Sequence, residues 1–215
     1  MLQWALLGLA ILFVIVAYIV IQGTRAALAW RAAAAKGDVK VIVEIVEDSL
    51  KGWSSQKKPK EIAADVWRGV QSTQLVEVDS DFVRVSCQAE SDYQMTDGRW
   101  VEKSNPLQSG LAITAKIAEM LFYELPHLRP DRIQVDVYTT YRVEDGVPSR
   151  ACIISSEPDR ERARSVDWDD WTGEEIADAL GARYRMGERG QPLPIEVSEP
   201  KPVEETTEEH EAVQS

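Results

Sequence analysis

Histidine and cysteine are nearly absent: the 215 residues contain 2 of each. His127 follows Pro126 in "LPHLRP", and His210 lies close to the C-terminus. Neither has partners at the spacing of a zinc site or a catalytic triad, so both are expected to be exposed. Cys87 and Cys152 fall in strand-like segments and are expected as buried free thiols, with Arg150 on the opposite face from Cys152. The glycines are scattered singly, and there is neither a phosphate-cradling loop nor a G-x-S-x-G nucleophile turn. These shortages give no support for a metal centre, a cofactor or an identifiable catalytic constellation. An enzyme is the less favoured class, and no cofactor is expected.

Basic charge is also scarce. The formal net charge is -12, and it is graded along the chain. Residues 23–58 hold 7 Lys/Arg against 4 Asp/Glu, residues 59–186 hold 15 against 24, and residues 187–215 hold 2 against 8. An acidic domain repels phosphate backbones, so nucleic acid is not an expected partner.

Apolar residues are concentrated at the N-terminus. "WALLGLAILFVIVAYIVI", from Trp4 to Ile21, carries neither charge nor proline. About 20 such residues suffice to cross a bilayer, so residues 1–22 are expected to be a transmembrane anchor that contacts lipid through residues 2–22. Trp4 and Tyr18 would lie at the two interfaces, with Arg25 just beyond. Arg25, Arg31, Lys36 and Lys40 follow the span, which predicts a single-pass cell-membrane protein with its N-terminus outside and the later domain cytoplasmic.

Helix-forming "TRAALAWRAAAAK" predicts a helical stalk over residues 23–37, ended by Gly37. Residues 38–186 read as a soluble α+β domain. Asp38 caps a helix carrying Ile42, Val46, Leu50 and Trp53, and Pro59 opens another through Val70. "LVEV" and "FVRVSCQAE" are strands, and "MTDGRW" is a loop. Asn105-Pro106 starts a long helix. "RIQVDVYTTYRV" and "PSRACIISS" form a hairpin; then come a short helix capped by Ser156 and a last helix, "GEEIADALGARYR". The fold expected is therefore a small mixed sheet of strand-helix-hairpin-helix order, covered by helices on one face. In element order alone it resembles the β-α-β-β-α modules from which some membrane-anchored ring proteins assemble. Residues 187–215 are Pro- and Glu-rich and read as a disordered acidic tail.

The densest group of charges is "VDWDDWTGEE". Thr172 and Glu175 fit a capping box, and Trp168 and Trp171 are placed to anchor the helix entry on the core. Asp167, Asp169 and Asp170 remain, with Arg160, Arg162 and Arg164 upstream to pair with them. Asp167, Asp169, Asp170, Arg160 and Arg164 form the candidate interaction patch. The function this supports is a membrane-anchored module for protein interaction or self-assembly, with a protein partner or homo-oligomer. Ile133, Val135 and Val137 mark the strand edge expected to self-associate. The alternative is a membrane-tethered enzyme or small-ligand sensor with an acidic pocket.

Overall fold

The computed structural model describes residues 2–96, 98–142, 148–188 and 190–200. Helix α1, Leu2–Ala35, passes through the boundary expected at residue 22 without a break. Gly37 follows in a left-handed conformation (φ 77°), which an L side chain rarely adopts. Helix α2, Val39–Ser55, begins at Asp38, whose carboxylate accepts from the Lys40 and Val41 amides. Its Ile42, Ile45, Val46, Leu50 and Trp53 are buried at helical spacing.

The membrane anchor needs correction. Among the described residues, no helix is long and apolar enough to cross a membrane. Side chains of α1 are described at residues 11–25, 28, 32 and 33. The single-pass topology, the lipid contact through residues 2–22 and the N-outside, cytoplasmic-domain placement are therefore withdrawn. The interface roles of Trp4, Tyr18 and Arg25 go with them: Tyr18 and Arg25 are exposed helix residues, and the Trp4 side chain lies outside the described set.

The α+β domain stands, with more strands than its sequence suggests. After α3 (Ala64–Gln71) come β1 (Gln74–Val78), β2 (Phe82–Gln88), β3 (Asp92–Thr96) and β4 (Arg99–Ser104). Then follow α4 (Pro106–Tyr123), β5 (Arg132–Arg142), β6 (Pro148–Ser156), α5 (Arg160–Arg164), α6 (Gly173–Ala179), β7 (Arg183–Met186) and β8 (Pro192–Leu193). Six strands make one open sheet in the order β1-β2-β5-β6-β7-β8, and β3 pairs with β4 apart from it. Strands β2 and β5 run parallel, as a helical crossover such as α4 requires; the other neighbours are antiparallel.

Four local expectations change. The α3 helix starts at Ala64 rather than Pro59, and its first residue has no side-chain cap. Of "MTDGRW", expected as a loop, Met95 and Thr96 belong to β3 and Arg99 and Trp100 to its antiparallel partner β4, with Gly98 at φ 77° just before β4. Asp159 rather than Ser156 caps α5. The last helix ends at Ala179, because Gly181 turns left-handed and "RYRM" becomes β7 on the edge of β6. A fifth change matters for assembly. Strand β5 is interior, and Ile133, Val135 and Val137 are fully buried, so they are not a free edge.

Helices cover one face of the sheet. Val83, Val85, Cys87, Ile133, Val135, Val137 and Ile154 point there and join the core of α2, α3, α4 and α6. The alternate residues Arg84, Gln134 and Asp136 point to the back. Past Gly187 the chain forms β8, and the Ile195 amide donates to the Cys152 carbonyl at 2.9 Å. Residues 201–215 lie outside the described residues.

Candidate functional site

On the helix side, three separate segments wall a groove. The first is the connector between α2 and α3. The Lys58 ammonium donates to the carbonyls of Pro59 and Ile62 at 2.8 and 2.7 Å, and the Trp67 indole N–H donates to Gln56 at 3.3 Å. The second is a row on α4 and its C-cap: Ala112, Ala115, Lys116, Glu119, Met120 and Glu124. Such spacing of three and four residues keeps them on one side of the helix. The third is the loop into α6, with Trp168 and Trp171.

Two cavities of about 330 Å³ each lie along this groove. Both are lined by Glu61, Ile62 and Lys116, so they lie side by side. Trp67 and Met120 wall one end; Trp168, Trp171 and Ile176 wall the other.

Close backbone approach sets the tryptophan wall. A Cβ on Gly173 would meet the Ala112 Cα at 2.7 Å, so glycine is needed for α6 to start this near α4. Thr172 and Glu175 form the expected capping box, and the Glu175 carboxylate accepts from the Thr172 amide at 2.8 Å. That bond, with a second from the Thr172 hydroxyl, holds the Glu175 carboxyl below its usual range.

The two tryptophans behave differently. Trp168 is half-buried, donates to the Ala163 carbonyl at 3.1 Å and meets Tyr123 edge-on at 5.7 Å. Trp171 is 42 % exposed and does not anchor the entry turn as its sequence position suggests.

The rim is acidic. Lys116 pairs with Glu119 at 2.9 Å and Glu124 at 3.4 Å. Burial works against its charge, but the two glutamates outweigh burial and hold its pKa above the usual lysine value. Glu61 adds a third carboxylate to the lining.

The residues singled out from sequence are only partly brought together. Asp167, Asp169 and Asp170 are exposed, and the Asp167 carboxylate accepts from the amides of Asp169 and Asp170 at 3.3 and 3.2 Å. Arg160 does not turn toward them. Its guanidinium donates to the carbonyls of Pro130 and Phe122 and lies 5.3 Å from the centre of the Phe122 ring. Burial lowers its pKa below the ordinary arginine value. Arg164 is exposed at the end of α5. His127 is exposed with φ 65°. Arg150 shares a face with Cys152: its guanidinium sits 4.4 Å over Tyr138, the residue paired with Cys152.

No family model, curated protein or solved structure matches the chain. Its function must be read from these surfaces alone. Among the described residues, no group of His, Cys, Asp or Glu could hold a metal ion.

A second polar cluster is structural. Asp65 accepts from Ser109 at 2.6 Å and Ser104 at 2.9 Å, and so ties the start of α3 to the start of α4. Burial opposes its ionisation, but the two hydroxyls and the amides of Asp65 and Val66 outweigh burial and hold its pKa below the usual carboxylate value.

The groove was hard to find in sequence because its parts come from residues 56–67, 112–124 and 168–176. The one signal available was two tryptophans three apart, of which only one is needed by the core.

Proposed function

We propose that the domain binds a basic, amphipathic helical segment in the groove between the 56–63 connector, α4 and the tryptophan loop. The observation that carries this reading is the exposed Trp171 beside an apolar floor of Ala112, Ala115 and Ile176, flanked by carboxylates. Helix-in-groove recognition uses an apolar stripe for affinity, and charges at the rim set orientation and partner choice. Among the cavity-lining residues Glu61, Glu119 and Glu124 outnumber Lys116, which is already paired, and Lys58 of the connector is turned to the Pro59 and Ile62 carbonyls, so the lining favours lysine and arginine on the incoming segment. Exposed aromatic side chains are frequent binding hot spots. This reading needs neither a membrane anchor nor self-assembly.

The test is titration with a designed helical peptide of about 18 residues, leucine on one face and lysine on the other. Binding is followed by tryptophan fluorescence and by calorimetry. The expected dissociation constant is on the order of 10 µM, weakened about tenfold by Trp171→Ala and by Glu119→Lys. A scrambled peptide of equal charge should bind far less. Equal binding of both peptides, or affinity unchanged in Trp171→Ala, would reduce the effect to general attraction by an acidic protein.

A further inference from the structure

The back of the sheet holds a buried ionic cluster that the groove does not use. Arg84 on β2 is 2 % exposed and Asp136 on β5 is 1 % exposed. The Arg84 Nε donates to the Asp136 carboxylate at 2.7 Å, and Glu77 lies 3.8 Å from the same guanidinium. The Gln134 amide donates to both oxygens of Asp136 at 2.9 and 3.2 Å. Helices lie on the other face. The remaining Arg84 nitrogen, Nη2, donates instead to the main-chain carbonyl of Ser198 at 2.8 Å.

Residues 194–200 therefore form a strap, and its path is unusual. Ile195 is fixed to β6 through Cys152, whereas Ser198 is fixed to Arg84 on β2, two strands away. Two strand spacings are about 10 Å, the distance three extended residues span. The strap therefore runs from a main-chain bond on β6 at Ile195 to the Arg84 guanidinium at Ser198. Leu193, Ile195 and Val197 are half-buried and alternate with exposed Pro194, Glu196 and Ser198, as an extended segment on a surface should. Ser155, which pairs with Asp136 across the sheet, has a buried hydroxyl with no partner among the described residues.

We propose that the back of the sheet is a binding face for an extended peptide with apolar residues at alternate positions, that Arg84 grips one of its main-chain carbonyls, and that residues 194–200 are its resident, displaceable occupant. A strap held by few hydrogen bonds opens without the sheet unfolding, because local opening requires only the loss of its own contacts. The occupant of the face is thereby defined as a segment resembling "PLPIEVSEP" in extended form.

Cys152 and Cys87 report the two faces separately. Cys152 is buried on the strap side, where burial pushes its thiol up to about 12, and Cys87 lies in the helix-side core. In the full chain, Ile195→Asp with Val197→Asp should release the strap. Alkylation by iodoacetamide, read at each cysteine by mass spectrometry, should speed up about tenfold at Cys152 and stay slow at Cys87. An excess of a synthetic peptide copying residues 192–200 should slow Cys152 again. The milder pair Ile195→Ser and Val197→Ser should act in the same direction with a smaller effect.

An unchanged Cys152 rate in both variants would overturn the proposal, since the strap would not gate the face. So would a joint rise at both cysteines in the milder variant, which would make the strap part of the core. Failure of the peptide to protect would deny that the face accepts the segment in trans. None of these results depends on Trp171, so the groove stands or falls separately.

Discussion

The two faces of one sheet solve the same problem with opposite chemistry. On the helix side, β2 and β5 bury Val83, Val85, Ile133, Val135 and Val137 against four helices. On the back, the alternate residues of the same strands bury Arg84, Gln134 and Asp136 under a strap. The apolar face is favourable wherever water is excluded, because its stabilisation scales with area and not with direction. The polar face is satisfied only in one arrangement, because each buried charge needs its partner. The first face supplies stability and the second supplies register, fixing β2 against β5 through groups 52 residues apart.

This contrast can be broken deliberately. Ile133→Ala, on the apolar face, should have the largest effect, about 4 kcal/mol in denaturant unfolding, from lost transfer energy and the cavity left behind. Asp136→Ala should cost about 3 kcal/mol, because Arg84 would remain buried without its counter-charge. Replacing both partners, Arg84→Met with Asp136→Leu, should recover most of that loss; full additivity in the double-mutant cycle would contradict the pairing. Gly173→Ala should cost about 2 kcal/mol by forcing α6 away from Ala112, and should move the fluorescence of the Trp171 loop.

The smallest effect sharpens the comparison in pH. The Asp65 carboxyl is held below its ordinary value, so the stability it contributes is fully present above the ordinary carboxylate pKa, about 4. That contribution is lost as pH falls through the lower folded value. Asp65→Asn should therefore cost about 1 kcal/mol at neutral pH and progressively less in acid, in unfolding curves taken from pH 7 to 2. A constant difference across that range would show that shape, not ionisation, makes the contact.

Sequence alone disclosed the elements whose signals are local. Asp38 and Asn105 announce α2 and α4 because a side-chain cap acts within three residues, and the alternation in "FVRVSCQ" announces β2. Elements that exist only through partners were missed. "RYRM" follows helix-favouring residues and becomes a strand because β6 offers an edge after Gly181. The Asp97-Gly98 signal was visible, yet the hairpin it joins was not, since its flanks lack a clear apolar alternation. Five charges around Trp168 and Trp171 drew attention to a loop in which the Asp167 carboxylate accepts from the loop's own amides. The groove wall beside it depends on Gly173 meeting Ala112, a contact between residues 61 apart in sequence that no periodicity encodes.

Gly37 joins α2 to a helix of 34 residues. At 1.5 Å per residue that helix is about 50 Å long, and three residues, Lys36 to Asp38, separate it from α2. A rotation of one degree at Gly37 sweeps the far end through nearly 1 Å, by simple arc length on that 50 Å arm. A small reorientation of α2 on its domain would thus be magnified into a displacement of many ångströms at Leu2.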